Sequence, residues 1–283
     1  MSATAPNVPS APVAPESRQS SNPIRDVVAA IGAAVIDLWV AGREMYSVFV
    51  RTLYFCVKGR REPGAIVHQM YEIGNRSVVF LSITMGFIGM IMVYQAGLQS
   101  ARVVPDYTML GPTYLELLVR DFAASLGGLM LATRVGAGIA AEIGSMVVTE
   151  QVDALRMCAA DPIDFLIVPR FLASIVMSLC VLVWGGTVAF LSGAVTAYMA
   201  FDVPFGSFFN MQLIDVGDVT IGIAKCVAYG AAIPIVSGYC GLSTFGGSEG
   251  VGWATTRAVV NASLTIIVLN LIISTIGFLV FPG

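Results

Sequence analysis

Five ionisable side chains, Arg120, Asp121, Arg134, Glu142 and Lys225, stand in stretches of this 283-residue chain that are otherwise apolar enough to cross a bilayer. A charge at the centre of a membrane helix costs about 2.5 to 3.5 kcal/mol on insertion scales, and less near the ends, so each must face protein or a water-filled cavity and find a partner. Asp121 and Lys225 fall at similar depths, a few residues below the outer surface, and can meet across the helix bundle or across a dimer interface. Intramembrane charges default to a functional role, and such a pair can carry a proton. The plain alternative is a salt bridge that holds helices together.

A second group of polar residues lies outside any apolar stretch. Residues 150 to 162 read EQVDALRMCAADP, with Glu150, Asp153, Arg156 and Asp161 ionisable, in a chain only 12% charged. Thr149 is placed to cap a helix whose first turn holds Glu150, Gln151 and Asp153, and Arg156 follows Asp153 by three residues. Val152, Leu155 and Ala159 are spaced to line one apolar face. Asp161-Pro162 then ends that helix and starts another, with Asp164 in its first turn. A reverse turn needs fewer residues than this, which favours a short helix that docks on something.

Covalent and hydrolytic chemistry lack their residues. His68 is the sole histidine, which leaves no multi-histidine metal site, and no nucleophile pattern accompanies it. Neither lysine, Lys58 or Lys225, ends a G-x-x-x-x-G-K-[ST] loop, so any ATP and magnesium chemistry belongs to a partner. Gly217-Asp218 stands without the companion aspartate of an intramembrane protease. The five cysteines form no C-x-x-C pair and read as small apolar residues. A net charge of -3 offers no basic surface to nucleic acid. A transporter or a scaffold fits better than an enzyme, with no cofactor or metal on this chain.

These residues must be held by membrane helices, because 57% hydrophobic content places the chain among polytopic membrane proteins. Residues 1–23 carry five prolines and no apolar core, and read as a disordered tail. Residues 24–58 read as one amphipathic helix. Asp37, Glu44, Arg51 and Lys58 recur every seven residues and share an arc of roughly 120° with Arg25, Asp26 and Arg43, at about 100° per residue. Ile31, Val35, Leu38, Trp39, Tyr46, Phe49 and Leu53 fill the rest, so the helix lies in a membrane interface, or else packs on soluble protein. Five spans follow in a transmembrane domain 66–283, near 77–101, 112–141, 171–201, 219–243 and 258–283. The loop 202–218 holds three aspartates and no basic residue. Arg60, Arg61, Arg76, Arg134, Arg156, Arg170 and Arg257 gather on the other side, which the positive-inside rule makes cytoplasmic, together with the N-terminus and the 150–162 segment. A proton-coupled secondary transporter would use Asp121 and Lys225 without an ATPase, but five unequal spans show no inverted repeat. A non-transporting scaffold would use the docking helix and leave the buried charges idle.

The run from Arg134 through Gly136, Gly138, Glu142, Gly144, Met146, Thr149, Glu150, Gln151 and Asp153 to Leu155, followed by Asp161-Pro162 and Pro169-Arg170, resembles the signature of the MlaE/YrbE permeases. These are membrane subunits of MCE-linked ABC lipid transporters. Phe87-Ile88-Gly89-Met90 and the stretch from Ala254 to Val260, with Arg257, extend the similarity, which covers roughly residues 30–280. The resemblance implies an all-α polytopic fold: an N-terminal interfacial helix, five transmembrane helices, and a coupling helix between spans two and three. It further implies a homodimer in the bacterial cytoplasmic membrane and a cytoplasmic ABC ATPase seated on Glu150, Gln151, Asp153, Leu155, Arg156 and Asp161. An MCE-domain protein outside and a STAS-domain protein on the ATPase are implied in addition. A phospholipid would lie in an outward-facing cavity between subunits, near Tyr94, Gln95, Leu98, Arg120, Asp121 and Lys225. One departure stands out. Where such permeases read Arg-Glu-Leu-Gly-Pro, this chain has Arg120-Asp121-Phe122-Ala123-Ala124, with a shorter acid and no proline.

Overall fold

A computed structural model describes residues 23–58, 63–103 and 107–281, and every regular element among them is helical. The Pro-rich tail to residue 22 and the basic pair Arg60-Arg61 lie outside the described residues. The described residues divide between Arg43 and Glu44 into two units. Helix α1 (Pro23–Lys58) runs through both. Within the second unit come α2 (Pro63–Val103), α3 (Leu110–Val148), α4 (Gln151–Met157), α5 (Ile163–Phe201), the single turn α6 (Phe205–Phe208), α7 (Val216–Leu242) and α8 (Gly247–Val280). Five of these, α2, α3, α5, α7 and α8, are long and apolar enough to span a membrane. The chain is an all-α, multi-pass membrane protein.

The spans are longer than their apolar windows. Helix α2 starts well before residue 77, α5 before 171, and α8 at Gly247 instead of 258. Hydropathy reports only what the hydrocarbon tolerates, whereas backbone hydrogen bonding carries a helix on into the polar interface, here through Glu72 and Arg76, which pair at i,i+4.

Close packing uses small residues. A Cβ on Gly89 would collide with the Ala189 carbonyl, and one on Gly193 with Val93 and Tyr114, so α2 and α5 approach closely along their length. Ser192 Oγ donates to the Gly86 carbonyl at 2.8 Å across that seam, and Trp184 Nε1 donates to Ser82 Oγ at 2.9 Å. Pro234 sits inside α7 and withholds one backbone donor there. Helix α3 is not a plain α-helix. It carries π-helical turns at Leu118–Phe122 and Ala132–Gly136, and α5 opens with a third at Ile163–Ile167. The missing proline after Asp121 therefore does not leave the segment regular, because a π turn interrupts it instead.

In the second unit, the charged row of α1 turns toward the rest of the protein. Tyr239 Oη donates to Glu44 Oε2, Arg51 pairs with Asp161 at 2.7 Å, and Thr52 and Cys56 are buried. Tyr46, Phe49, Val50, Leu53 and Val57 face outward. An apolar face left open beside five membrane spans is what a helix lying in the interface requires.

Candidate functional site

The site is built on one face of α7 and one turn of α3. Asp218 and Lys225 are seven residues apart, two helical turns on the same face. Both are buried, and each takes a partner from the first π turn of α3: Arg120 Nη1 lies 3.3 Å from Asp218 Oδ1, and Lys225 Nζ lies 2.5 Å from Asp121 Oδ1. Adjacent residues on α3 thus make opposite-sign pairs with two levels of α7. Asp218 has a second task. Its Oδ2 accepts from the Asp215 backbone N–H while Asp215 returns the bond, a capping box that starts α7.

The pairs meet within one chain, so neither needs a second subunit. Their exposure is unequal. The Lys225 side chain is 1% exposed and that of Asp121 39%, so whatever enters from the side reaches the carboxylate first and the ammonium only through it. Around Asp121 the structure gathers polar groups of neutral charge. Ser125 Oγ donates to Asp121 Oδ1 at 3.0 Å, Tyr229 Oη donates to Asn270 Oδ1 at 3.1 Å, and Ser274 Oγ reaches the same oxygen at 3.4 Å. The sequence pattern puts Asp218 in an outer loop with no site role and does not single out Ser125, Tyr229 or Asn270. Asn270 alone left a signal, an amide in an otherwise aliphatic run of α8.

Tyr94, Gln95 and Leu98 lie on the exposed face of α2, where the Tyr94 ring meets Phe201 at 6.0 Å between centroids. A separate cavity of 480 Å³ between α3, α5 and α7 is walled by Leu118, Val119, Leu182, Phe190 and Ile223, with Thr187 among its few polar contributors.

At the opposite end of the spans, α4 takes a form the sequence pattern misjudged. Thr149 does not cap it: its Oγ1 donates back to the Ser145 carbonyl at 2.8 Å and closes α3. Glu150 occupies the N-cap position with φ 60°, in the left-handed region, and its side chain caps nothing. Ala159 lies past the helix end, exposed and with φ 57°, so the apolar face is Val152 and part of Leu155 only. A left-handed residue at each end bounds α4 as a short crossbar. Gln151 and Asp153 are exposed, and Asp153 pairs with Arg156 at 3.0 Å. Asp161 faces inward: one carboxylate oxygen caps the Ile163 N–H at 3.0 Å, next to Pro162, and the other holds Arg51.

The remaining motif residues brace this end. The Arg170 guanidinium is buried, with Nη2 on Glu142 Oε1 and Nη1 on the Leu166 carbonyl, both at 2.7 Å. Arg134 Nη1 donates to Ser77 Oγ at 2.9 Å. Gly144 admits Thr244 against its backbone, and Arg257 lines a shallow cavity with Phe245 and Trp253.

With that geometry in place, comparison with known proteins decides the family. The model of the permease MlaE matches residues 66–276, which is the whole span-bearing region from early α2 to late α8. The chain belongs to the MlaE permease family. The intermembrane phospholipid transport system permease protein MlaE of Haemophilus influenzae is 31% identical over 90% of this chain and 98% of its own length. A probable ABC transporter permease of Rickettsia prowazekii is 35% identical over 75% of this chain and 83% of its own. The chloroplastic protein TRIGALACTOSYLDIACYLGLYCEROL 1 of Arabidopsis thaliana is 29% identical over 78% of this chain and 64% of its own. The MlaE match takes in the charged face of α7, the π turns of α3 and the α4 crossbar together, so the buried pairs and the short helix belong to one permease domain.

Proposed function

We propose that this MlaE-family chain is the membrane subunit of an ABC-type phospholipid transporter in a bacterial cytoplasmic membrane, with the N-terminus and α4 in the cytoplasm. The observation that carries the reading is the near end-to-end match to the Haemophilus phospholipid transport permease. Two copies enclose a lipid between them, and the mostly unburied, apolar α8 supplies surface for that contact. The headgroup meets Asp121 and Arg120, while Lys225 acts as a positioning residue that holds the Asp121 carboxylate in place. A cytoplasmic ATPase carrying ATP and magnesium seats on α4, a STAS-domain protein sits on that ATPase, and an MCE-domain protein accepts or delivers lipid on the far side. Arg134, Arg156, Arg170 and Arg257 at the α4 end, and Asp202, Asp215 and Asp218 at the other, support this orientation. Closure of the ATPase pushes the crossbar, and α3 transmits the push toward Asp121 through turns whose π geometry yields more readily than a regular helix.

The test is co-purification of the full chain with its ATPase, together with lipid-stimulated ATP hydrolysis. The Glu150→Lys, Asp153→Lys double variant abolishes both if α4 is the seat. Intact hydrolysis and co-purification in that variant would place the ATPase elsewhere.

A further inference from the structure

A cavity of 330 Å³ lies at the α4 end, away from Asp121 and Lys225, between Phe55 of α1, Ile66 to Gln69 of α2, Glu142 and Met146 of α3, and Asp164 to Leu172 of α5. Its walls are mostly apolar, with Arg170, Glu142, Asp164, His68 and Gln69 as the polar contributors. Arg170, 3% exposed, satisfies Nη1 and Nη2 but leaves its buried Nε without a partner. A buried donor left unmade costs about 1 to 3 kcal/mol, more for a charged group, so the site wants an acceptor there. The charge count points to a second requirement. Among the described residues, Glu142 neutralises Arg170, which leaves the Asp164 carboxylate in excess, and the Glu142 side chain is half-exposed and engages Arg170 through one of its two oxygens. The cavity therefore asks for an anionic acceptor at Arg170, a cationic donor at Asp164 and Glu142, and apolar groups along Phe55, Ile66, Met146 and Leu172.

We infer that this cavity binds the zwitterionic headgroup of an aminophospholipid, its phosphate toward Arg170 and His68 and its primary ammonium between Asp164 and Glu142. A primary ammonium carries the N–H donors that two carboxylates need, and a choline headgroup has none. A glycerol headgroup brings an anion and no cation to a site already in acidic excess. The apolar walls select a lipid over a free phosphoethanolamine. This site is separate from the Asp121–Lys225 cluster and requires only that the chain sit in a bilayer, not the transport reading.

The experiment is native mass spectrometry of the full chain, delipidated and then exposed to equimolar phosphatidylethanolamine, phosphatidylglycerol and phosphatidylcholine. Wild type retains phosphatidylethanolamine in preference to the others. Asp164→Asn, at a partly exposed position, weakens that retention about tenfold, the loss of one charge-assisted hydrogen bond. His68→Ala, at an exposed position, weakens it less and serves as the second variant should the first fold poorly. An Asp121→Leu, Lys225→Met variant keeps the preference, which separates this site from the central one. Unchanged retention in Asp164→Asn, preference for phosphatidylglycerol, or loss of the preference only in the Asp121 and Lys225 variant would each overturn the assignment. Competition by soluble phosphoethanolamine at equal concentration would transfer the site from a lipid to a free zwitterion.

Discussion

Lys225 Nζ and Asp121 Oδ1 lie 2.5 Å apart with the lysine sealed and the aspartate reachable. Removing Asp121 strands the sealed Lys225 ammonium, at a cost of about 3 to 5 kcal/mol, whereas replacing both with apolar groups of similar volume is often near neutral. Asp121→Leu alone should therefore lower the thermal midpoint of the detergent-purified protein sharply, and Lys225→Met, which leaves the more exposed carboxylate, should lower it less. The Asp121→Leu, Lys225→Met double variant should recover most of that loss yet retain less central lipid by native mass spectrometry. Full lipid occupancy in a stable double variant would make the pair a helix clamp and nothing more.

The small-residue seam between α2 and α5 makes a contrasting pair of expectations. Gly89→Val drives side-chain atoms into the Ala189 carbonyl and Ser192, and backbone cannot give way cheaply, so a loss of about 1 to 3 kcal/mol is expected. Gly138 has nothing within 4 Å of a new Cβ, so Gly138→Ala should be neutral or gain up to about 1 kcal/mol from helix propensity. Thermal unfolding of the two variants side by side checks both signs.

Asp161 makes two bonds and Arg51 one. The Arg51–Asp161 pair is largely exposed, so a double-mutant cycle should give a coupling below about 1 kcal/mol. Asp161→Ala should cost roughly 1 kcal/mol more than Arg51→Ala, because it also uncaps Ile163. Equal losses would mean that the cap contributes nothing.

Ala159 is an L-residue held at φ 57°, a conformation that costs roughly 1 to 2 kcal/mol and that glycine adopts freely. Ala159→Gly should stabilise the end of α4, and Ala159→Val should destabilise it, as read by protease resistance of the 149–163 segment in membranes.

Orientation has its own readout in Cys158, exposed just past α4. A membrane-impermeant maleimide should label wild type in inverted vesicles and not in right-side-out ones, and Cys158→Ser should remove that signal. Cys180, though exposed, lies within the apolar α5 and should stay unlabelled in both. Labelling from the right-side-out face would invert the proposed topology.

Much of this fold is legible in the chain before it folds. Runs of apolar residues about twenty long dictate membrane helices, because a bilayer offers no partner to a free backbone group. Intramembrane charge obliges Asp121 and Lys225 to seek partners, and the residues from Arg134 to Leu155 carry enough identity to mark the family. What failed was local and directional. Spacing alone assigns Thr149 and Ala159 to α4, and spacing cannot foresee that Glu150 and Ala159 turn left-handed and cut the helix short. Asp218 reads as one of three loop aspartates because its partner Arg120 is about a hundred residues away in sequence, and the lone amide Asn270 in an aliphatic run does not say which helix it faces.

The sequence by itself determined that charges would be buried, that five helices would bury them, and that a short polar helix would stand outside the bilayer, since those outcomes follow from transfer free energies residue by residue. Only the tertiary structure decided which charge meets which. Pairing depends on the rotation of α3 against α7 and on the π turn at Leu118–Phe122 that sets it, and such relative angles belong to the packing of two helices, not to the pattern along either one.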